Sequence, residues 1–324
     1  MMRTVTIDKY FEKIAQHIVC NATLSNQHLH IKFPKETFAS EIADFNLFTS
    51  LPELLNLYKG VVMVVGKVAI DETEGLRDRF FVPMYRALAY YQQGATLEFD
   101  FVERFFNGLQ KFIVKFQTFL QLPTGVLGKA ICYASPNASG FPLHFDAYYN
   151  FIFQIIGKKK WILQYNTNAD LPLQHYDFHE YPYLPTELEM YWKKDTKLPL
   201  GDTDNLIIEE LEAGSMLYLP RGLWHQTEAS DSSFSLNITF SLPSVIDLLL
   251  AALRKKMVPY TIARNTPLKI NKEDYKCYAN LLEAAQNDLQ LSDLIAQLGV
   301  KHDAYQQGNK TFHAMLECLQ TKFS

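Results

Sequence analysis

The chain has 324 residues, of which 48% are hydrophobic and 14% aromatic, and its formal net charge is −4. This composition supplies enough apolar surface for a sizeable core, which excludes a disordered chain. The slightly acidic balance argues against a dedicated nucleic-acid binder, because such proteins usually present a basic face. The length predicts one large domain or two small ones.

The cysteines are isolated from one another, at Cys20, Cys132, Cys277 and Cys318. Their spacing indicates neither a zinc ribbon nor a disulfide scaffold, and isolated thiols are typical of a reducing compartment. The N-terminus lacks the apolar region of a secretory signal, and no window of about 18 residues is free of charge. We therefore expect a cytoplasmic protein with no membrane contact.

The first part of the chain, residues 1–125, is predicted to be a helical or mixed flank. Its helices show apolar residues at every third or fourth position, and its strands are short β-branched or alternating runs. The segment after residue 50 also begins as a helix. Helices are predicted at 7–20, 84–93 and 98–121, and strands at 29–33 and 61–65.

Residues 126–242 consist of short β-rich runs separated by turn signals, which predicts an antiparallel barrel or sandwich. The runs are VLGKAICYA, NFIFQIIG, KKWILQY, SMLYLP and SFSLNITF. An excursion at 166–205 interrupts them and is rich in proline, tyrosine and acidic residues. Residues 243–324 are helical in pattern, and the first helix has a basic end that suits a helix C-terminus.

One pattern in the β-rich part suggests a metal site. His144 and Asp146 are two residues apart, so on a strand both side chains face the same side. His225 follows the apolar run MLYLP and supplies a third ligand. Two histidines and one carboxylate form the facial triad that holds non-haem Fe(II) and leaves positions open for an oxo acid and dioxygen.

A second His-X-Asp pattern, His175-Tyr176-Asp177, has His179-Glu180 beside it. Because it lies among Pro, Gln and Tyr outside any clear strand, we interpret it as a solvated loop, with an adventitious second metal site as the alternative. The surroundings of His144 are more informative: a turn, an apolar strand, a glycine turn and then three lysines. An oxo acid on iron leaves a distal carboxylate that needs a cation. Lys158, Lys159 or Lys160 can supply it.

At this point the chain resembles the JmjC-type cupin oxygenases, which use Fe(II) and 2-oxoglutarate. The resemblance is to the branch that includes the ribosomal oxygenases and the asparaginyl hydroxylase acting on hypoxia-inducible factor, and it spans about 94–240. The matching text is Tyr133-Ala-Ser-Pro, Gly140-Phe-Pro-Leu-His144-Phe-Asp146, Asn150-Phe, Gln154, Gly157-Lys-Lys-Lys-Trp161 and Gly214-Ser-Met-Leu-Tyr-Leu-Pro-Arg-Gly-Leu-Trp-His225.

The resemblance implies a mainly β fold with flanking helices, in which a double-stranded β-helix (cupin or jelly-roll) forms the core. It implies that His144, Asp146 and His225 bind Fe(II). It implies further that Lys159 pairs with the distal carboxylate of 2-oxoglutarate, while its two neighbours point away by strand alternation.

Three further residues match polar positions of the family near the cosubstrate: Asn150, Asn237 and Tyr133. Structural roles remain open for them, since an asparagine can cap a strand or satisfy a buried backbone group, and a tyrosine can be a core aromatic. The chain departs from some members at Phe141, where they carry a threonine that donates to 2-oxoglutarate. Ser139 or Tyr133 would then supply the hydroxyl, or none does.

The predicted function is Fe(II)- and 2-oxoglutarate-dependent hydroxylation of a protein side chain, with a ribosomal protein as the first candidate, and with dioxygen as co-reactant. The alternatives are hydroxylation of a small molecule, a metal-dependent cupin without an oxo acid, and a non-catalytic cupin that binds a partner. Helices after the core often mediate dimers in this family. The apolar face of the C-terminal helices therefore suits either a homodimer or packing within the chain.

The excursion generates a first prediction. Its acidic residues Glu187, Glu189 and Asp195 are expected to attract a basic substrate. Reversal of these charges to lysine should raise the KM for a basic protein substrate while leaving kcat unchanged, because long-range attraction acts on encounter. Steady-state turnover measured at low and high salt tests this, and unchanged turnover at low salt would remove the idea.

Overall fold

The computed structural model describes residues 7–20, 23–34, 37, 48–69, 76–177, 183–193, 198–199, 205–267 and 269–298. The described helices are α1 (Ile7–Ile18), α2 (Leu51–Leu57), α3 (Met84–Gln92), α4 (Asn107–Phe119), α5 (Thr186–Glu189), α6 (Val245–Met257), α7 (Lys272–Asn287) and α8 (Leu291–Leu298). Single 3₁₀ turns lie at Val102–Arg104 and Thr261–Arg264. None of these helices has both the length and the hydropathy needed to cross a membrane.

The described strands are β1 (Val19–Cys20), β2 (Thr23–Leu24), β3 (Leu29–Lys32), β4 (Val61–Ala69), β5 (Leu76–Pro83), β6 (Thr96–Asp100), β7 (Gly128–Ser135), β8 (His144–Phe145), β9 (Tyr149–Ile156), β10 (Lys158–Gln164), β11 (Tyr176–Asp177), β12 (Ile207–Glu212), β13 (Ser215–Leu219), β14 (Trp224–Ala229) and β15 (Ser233–Phe240). A large sheet has the order β3-β13-β9-β15-β7-β6-β4-β5, and a small sheet has the order β11-β8-β14-β10-β12. All pairs in both sheets are antiparallel. The prediction of a mainly β fold with flanking helices is confirmed.

The described residues fall into two compact units, one containing 7–122 and 128–241 and the other 123–127 and 242–298. The first unit holds both sheets. The second holds α6, α7 and α8, in which Lys256 on α6 contacts Asp288 at 3.0 Å and Asp293 at 3.1 Å. Both α6 and α7 begin with a capping box, formed by Ser244 with Asp247 and by Asn271 with Asp274.

Two adjacent inner strands of the large sheet, β9 and β15, are buried on both faces, which is why both read as nearly continuous apolar runs. Their outward side chains pack under α4, where the ring centroid of Phe116 lies 4.9 Å from that of Phe151 and 6.3 Å from that of Phe240. Phe11 of α1 covers Phe116 from the other side at 4.5 Å. This aromatic layer fixes the sheet that carries one wall of the site.

The inward side chains of both sheets meet in an apolar core beside the site. Its members come from the large sheet and the small one, so the two sheets pack face to face as in a cupin-type sandwich. They are Ile152, Trp161, Leu163, Leu211, Leu217, Leu219 and Leu223.

The predicted helix at 98–121 is wrong over its first part. Thr96–Asp100 forms β6, which pairs with β4 and β7, and the helix begins only at Asn107. Leu97, Glu98 and Phe99 are all buried, so both faces of this strand are enclosed. A strand buried on both faces has apolar residues without alternation, and here they mimic the spacing of a helix. The strand ends where Phe101 adopts a left-handed conformation with φ 54°. The N-terminal flank is thus mixed, because β3 to β6 join the large sheet.

The aromatic layer generates a second prediction. Phe116→Ala should lower the free energy of unfolding by about 3–5 kcal/mol, because a fully buried ring is removed and leaves a cavity. Val114→Ala on the same helix, where the side chain is 58% exposed, is the matched control and should change it by less than about 0.5 kcal/mol. Urea denaturation measures both, and equal effects would contradict the packing described above.

Candidate metal centre and cosubstrate cavity

Three side chains with metal-ligating atoms converge in the first unit. His144 lies on β8, Asp146 directly follows that strand, and His225 lies on β14. The two strands are antiparallel neighbours in which His144 pairs with His225. One ligand atom from each of the three residues lies within 4.8 Å of the others. The structure therefore brings together the three residues that the sequence predicts as metal ligands.

Both histidines are held in one tautomer by the backbone. Nδ1 of His144 donates to the Pro142 carbonyl at 2.8 Å, and Nδ1 of His225 donates to the Leu223 carbonyl at 2.9 Å. A carbonyl oxygen only accepts, so each Nδ1 carries the proton and each Nε2 keeps a lone pair for a metal. Burial, followed by the charge of His144, lowers the pKa of His225 to about 4, so that ring is neutral at pH 7.

Asp146 supplies the negative charge of the centre. Burial alone would raise its pKa. The hydrogen bond from His175, followed by the charges of His144 and His175, outweighs that effect and holds the pKa below its usual range. The backbone carbonyl of Asp146 accepts from the Gly222 amide at 2.8 Å, which ties the loop to the turn before His225. Gly222 has φ +87°, and a Cβ there would lie 2.5 Å from Pro172, so the turn requires glycine.

A cavity with an empty volume of about 320 Å³ extends from the three ligands between the sheets. Its lining includes every residue that the sequence predicts as a metal ligand or as matching a cosubstrate position of the family, together with Phe141, Trp161, Thr227 and Ser235. The lining residues are Tyr133, Phe141, His144, Asp146, Asn150, Lys159, Trp161, His225, Thr227, Ser235 and Asn237.

Lys159 provides the cation of the cavity and is only 2% exposed. Its Nζ donates to the Ser135 hydroxyl at 2.9 Å, and that oxygen also accepts from Thr96 at 3.1 Å. Among the described residues, no carboxylate lies within ion-pair distance of Nζ. Burial lowers the pKa of Lys159 to about 8. Lys158 is exposed and Lys160 half-buried, as strand alternation predicts.

Several polar atoms of the cavity wall are buried without a hydrogen-bond partner: Asn150 Oδ1, Trp161 Nε1, Ser235 Oγ and Asn237 Oδ1. Unpaired buried polar atoms are costly and rare in folded proteins, so a cluster of them in one cavity indicates a polar ligand. A Lys159 ammonium beside them indicates an anionic one. The cavity thus fits an oxo acid, and the three converging ligand atoms fit Fe(II).

Tyr133 faces the cavity, and burial, followed by the charge of Glu98, raises its pKa. Ser139 bonds to the Pro136 carbonyl and to Thr96 and is not part of the lining. Sequence reasoning missed Thr227, whose Oγ1 accepts from the Phe141 amide at 3.0 Å and keeps its own proton to donate. It also missed Ser235, although its position two residues before Asn237 on a predicted strand is a usable signal.

The interpretation of His175-Tyr176-Asp177 as a solvated loop is wrong. Tyr176 and Asp177 form β11, which pairs with β8 and is buried, and His175 Nδ1 contacts Asp146 Oδ1 at 3.0 Å. His179 and Glu180 lie outside the described residues. Within the part of the chain that the structure describes, only one group of side chains converges as metal ligands, that of His144.

The excursion around β11 packs against the ligand strands. It contributes to an apolar cluster with the β8 and β14 residues Phe145 and Trp224, formed further by Ala169, Tyr176 and Leu188. Glu187 and Glu189 lie exposed on α5, and Asp195 is outside the described residues. Over residues 166–177 and 183–193, the excursion therefore packs against the two strands that carry His144 and His225 and stabilises them.

Comparison with known proteins identifies relatives of this chain in sequence and in fold. The JmjC domain family matches residues 109–248. The uncharacterized protein YxbC of Bacillus subtilis is 48% identical over 223 residues, which are 69% of this chain and 67% of YxbC. Human ribosomal oxygenase 1 is 27% identical over 156 residues, 48% of this chain but only 21% of that protein.

The Drosophila erecta bifunctional lysine-specific demethylase and histidyl-hydroxylase NO66 is 27% identical over 187 residues, 55% of this chain and 26% of that protein. This chain thus matches only 26% and 21% of the length of these two eukaryotic proteins. An X-ray structure of YcfD from E. coli superimposes with a TM-score of 0.51 and 16% identity over 90% of this chain and 70% of YcfD, which shows a common fold. Since the JmjC match contains all three converging ligands, and since the alignment with YxbC spans two thirds of both chains, this protein belongs to the JmjC domain family.

Proposed function

We propose that this protein is an Fe(II)- and 2-oxoglutarate-dependent oxygenase that hydroxylates a protein side chain. One observation carries the proposal: the cavity that ends at His144, Asp146 and His225 also contains a buried lysine with no carboxylate partner among the described residues. A metal centre and an anion site in one cavity are what a chelating oxo acid with a second carboxylate requires.

Nε2 of His144, Nε2 of His225 and the carboxylate of Asp146 would hold the iron. When bound, the iron supplies the redox chemistry with dioxygen that an unactivated C–H bond requires. The chain itself orients both imidazoles through the carbonyls of Pro142 and Leu223. A preorganised ligand set binds metal without a cost for ordering the ligands.

Lys159 would pair with the distal carboxylate of 2-oxoglutarate. Ser135 holds its Nζ in place, and the remaining Nζ protons are available to an anion. Asn150, Ser235 and Asn237 present unpaired polar atoms along the same wall. Some family members carry a threonine where this chain has Phe141. We infer that the hydroxyl of Thr227, which accepts from the Phe141 amide, donates to the cosubstrate instead.

A protein side chain is the preferred substrate because two relatives carry the names ribosomal oxygenase and histidyl-hydroxylase. A ribosomal protein is the first candidate. The proposal also retains three sequence predictions: the division into 1–125, 126–242 and 243–324, a homodimer through the C-terminal helices, and a cytoplasmic location.

The site generates a third prediction. Anaerobic titration of the Fe(II)-loaded protein with 2-oxoglutarate should produce the visible charge-transfer band of the chelate. His144→Ala should abolish the band, and Lys159→Ala should weaken 2-oxoglutarate binding at least about tenfold, because a charge-assisted bond is lost.

Lys158→Ala is the matched control, since its exposed ammonium pairs with Glu212 at 3.3 Å on the other face of the strand. It should leave the titration unchanged. Absence of a band in the wild-type protein would contradict the proposal and favour the non-catalytic binding protein.

The buried lysine generates a fourth prediction. The folded-state pKa of Lys159 is about 8, below its ordinary value of 10.5, so the unfolded chain binds the extra proton between these values. The contribution of Lys159 is therefore unfavourable below pH 8 and is relieved as the pH rises towards 10.5.

Lys159→Met should thus raise the free energy of unfolding of the metal-free protein at pH 7, by at most about 3 kcal/mol, and the gain should shrink by pH 10. Denaturant titrations of both proteins at the two pH values measure this difference. Added 2-oxoglutarate with metal should stabilise the wild type more than Lys159→Met, because the variant keeps the metal ligands but lacks the cation for the distal carboxylate. A pH-independent difference would show that the ammonium is not the source of the cost.

A further inference from the structure

A third imidazole touches the carboxylate of the metal centre. His175 Nδ1 lies 3.0 Å from Asp146 Oδ1, whereas His225 Nε2 lies 3.6 Å from Asp146 Oδ2. The two carboxylate oxygens therefore have different surroundings. Oδ2 faces His225, and Oδ1 faces His175 of the excursion at 166–205.

The contact has a definite donor. A carboxylate that binds a metal is ionised and only accepts hydrogen bonds, so the proton belongs to Nδ1 of His175. The Ala147 amide also points at Nδ1 from 3.2 Å. One nitrogen cannot donate to Asp146 and accept from Ala147 in the same tautomer. Only the tautomer with the proton on Nδ1 can donate a hydrogen bond to the Asp146 carboxylate.

The imidazole is held in place although its side chain is 57% exposed. It directly precedes β11, where Tyr176 pairs with Phe145 and Asp177 pairs with His144. The Tyr148 ring packs edge-on against it with a centroid distance of 4.9 Å. The backbone that presents His175 is therefore hydrogen-bonded to the strand that presents His144, which fixes one relative to the other.

We propose that His175 is a positioning residue of the metal centre: it holds Asp146 Oδ1 and so leaves Oδ2 as the one oxygen that Asp146 offers to the metal. This inference rests on the proposed function. Single-oxygen coordination preserves the open positions that a chelating cosubstrate and dioxygen require. Hydrogen-bond partners of ligating carboxylates typically contribute about 10–100-fold to metal affinity.

Substitutions at His175 test the proposal through the affinity of the full-length protein for Co(II), followed by its visible absorption. His175→Ala should weaken Co(II) binding at least about tenfold. His175→Asn places an amide N–H where Nδ1 lies and should restore affinity to near the wild-type value. His175→Gln places its amide at the position of Nε2, away from Asp146, and should not restore it.

Tyr183→Ala is the control for a general disturbance of the excursion. Tyr183 lies in the same segment and is 86% exposed, so this variant should bind Co(II) like the wild type. Wild-type affinity in His175→Ala overturns the inference alone. Equal Co(II) affinities of the His175→Asn and His175→Gln variants also overturn the inference. A changed Co(II) spectrum in His175→Asn overturns it too, because His175 would then be a metal ligand. If His144→Ala binds Co(II) as tightly as the wild type, the proposed function is overturned as well.

Discussion

The site depends on one short strand pairing, that of β8 with β14, in which His144 lies opposite His225. Two histidines that are distant in sequence become neighbours through this pair, and Asp146 follows where β8 ends. Because β8 has only two residues, it needs support on its other edge. β11 provides it, and the apolar cluster around Trp224 and Phe145 holds all three strands together. The convergence of His144, Asp146 and His225 thus depends on the small sheet.

The cavity is lined by a carboxylate, Asp146, and by an ammonium, Lys159. Asp146 is ionised and accepts a hydrogen bond from His175, whereas Lys159 is buried with a hydroxyl as its hydrogen-bond acceptor and has no carboxylate within ion-pair distance among the described residues. Burying a charge without a partner is costly, so the folded protein is less stable than an apolar cavity would make it. Such a cost is typical of binding sites, where the ligand supplies the missing partners. The unpaired asparagine and serine atoms of β9 and β15 belong to the same pattern.

The large sheet forms a second wall of the cavity. Its strands β9 and β15 are covered on the outside by the aromatic layer of α4 and α1, and on the inside they line the cavity. The N-terminal strands extend the sheet beyond β7, and Thr96 of β6 reaches the hydroxyl that orients Lys159. The flank that precedes the core in sequence is therefore part of the site. Family membership rests on the core, but the hydrogen bonds around Lys159 use Ser135 of the core and Thr96 of the preceding flank.

The sequence by itself determined the features that depend on local periodicity. The family resemblance selects Lys159 among three lysines, strand alternation then predicts its two neighbours on the other face, and the His-X-Asp spacing predicts two ligands on one face. Only the tertiary structure decided where pairing with distant strands overrides local pattern. Thr96–Asp100 is a strand because β4 and β7 enclose it, and His175 meets Asp146 because β11 joins β8. Thr227 and Ser235 reach the cavity through the register of β14 and β15. These contacts depend on which strands become neighbours, and that is decided by burial of the whole core rather than by the residues adjacent in sequence.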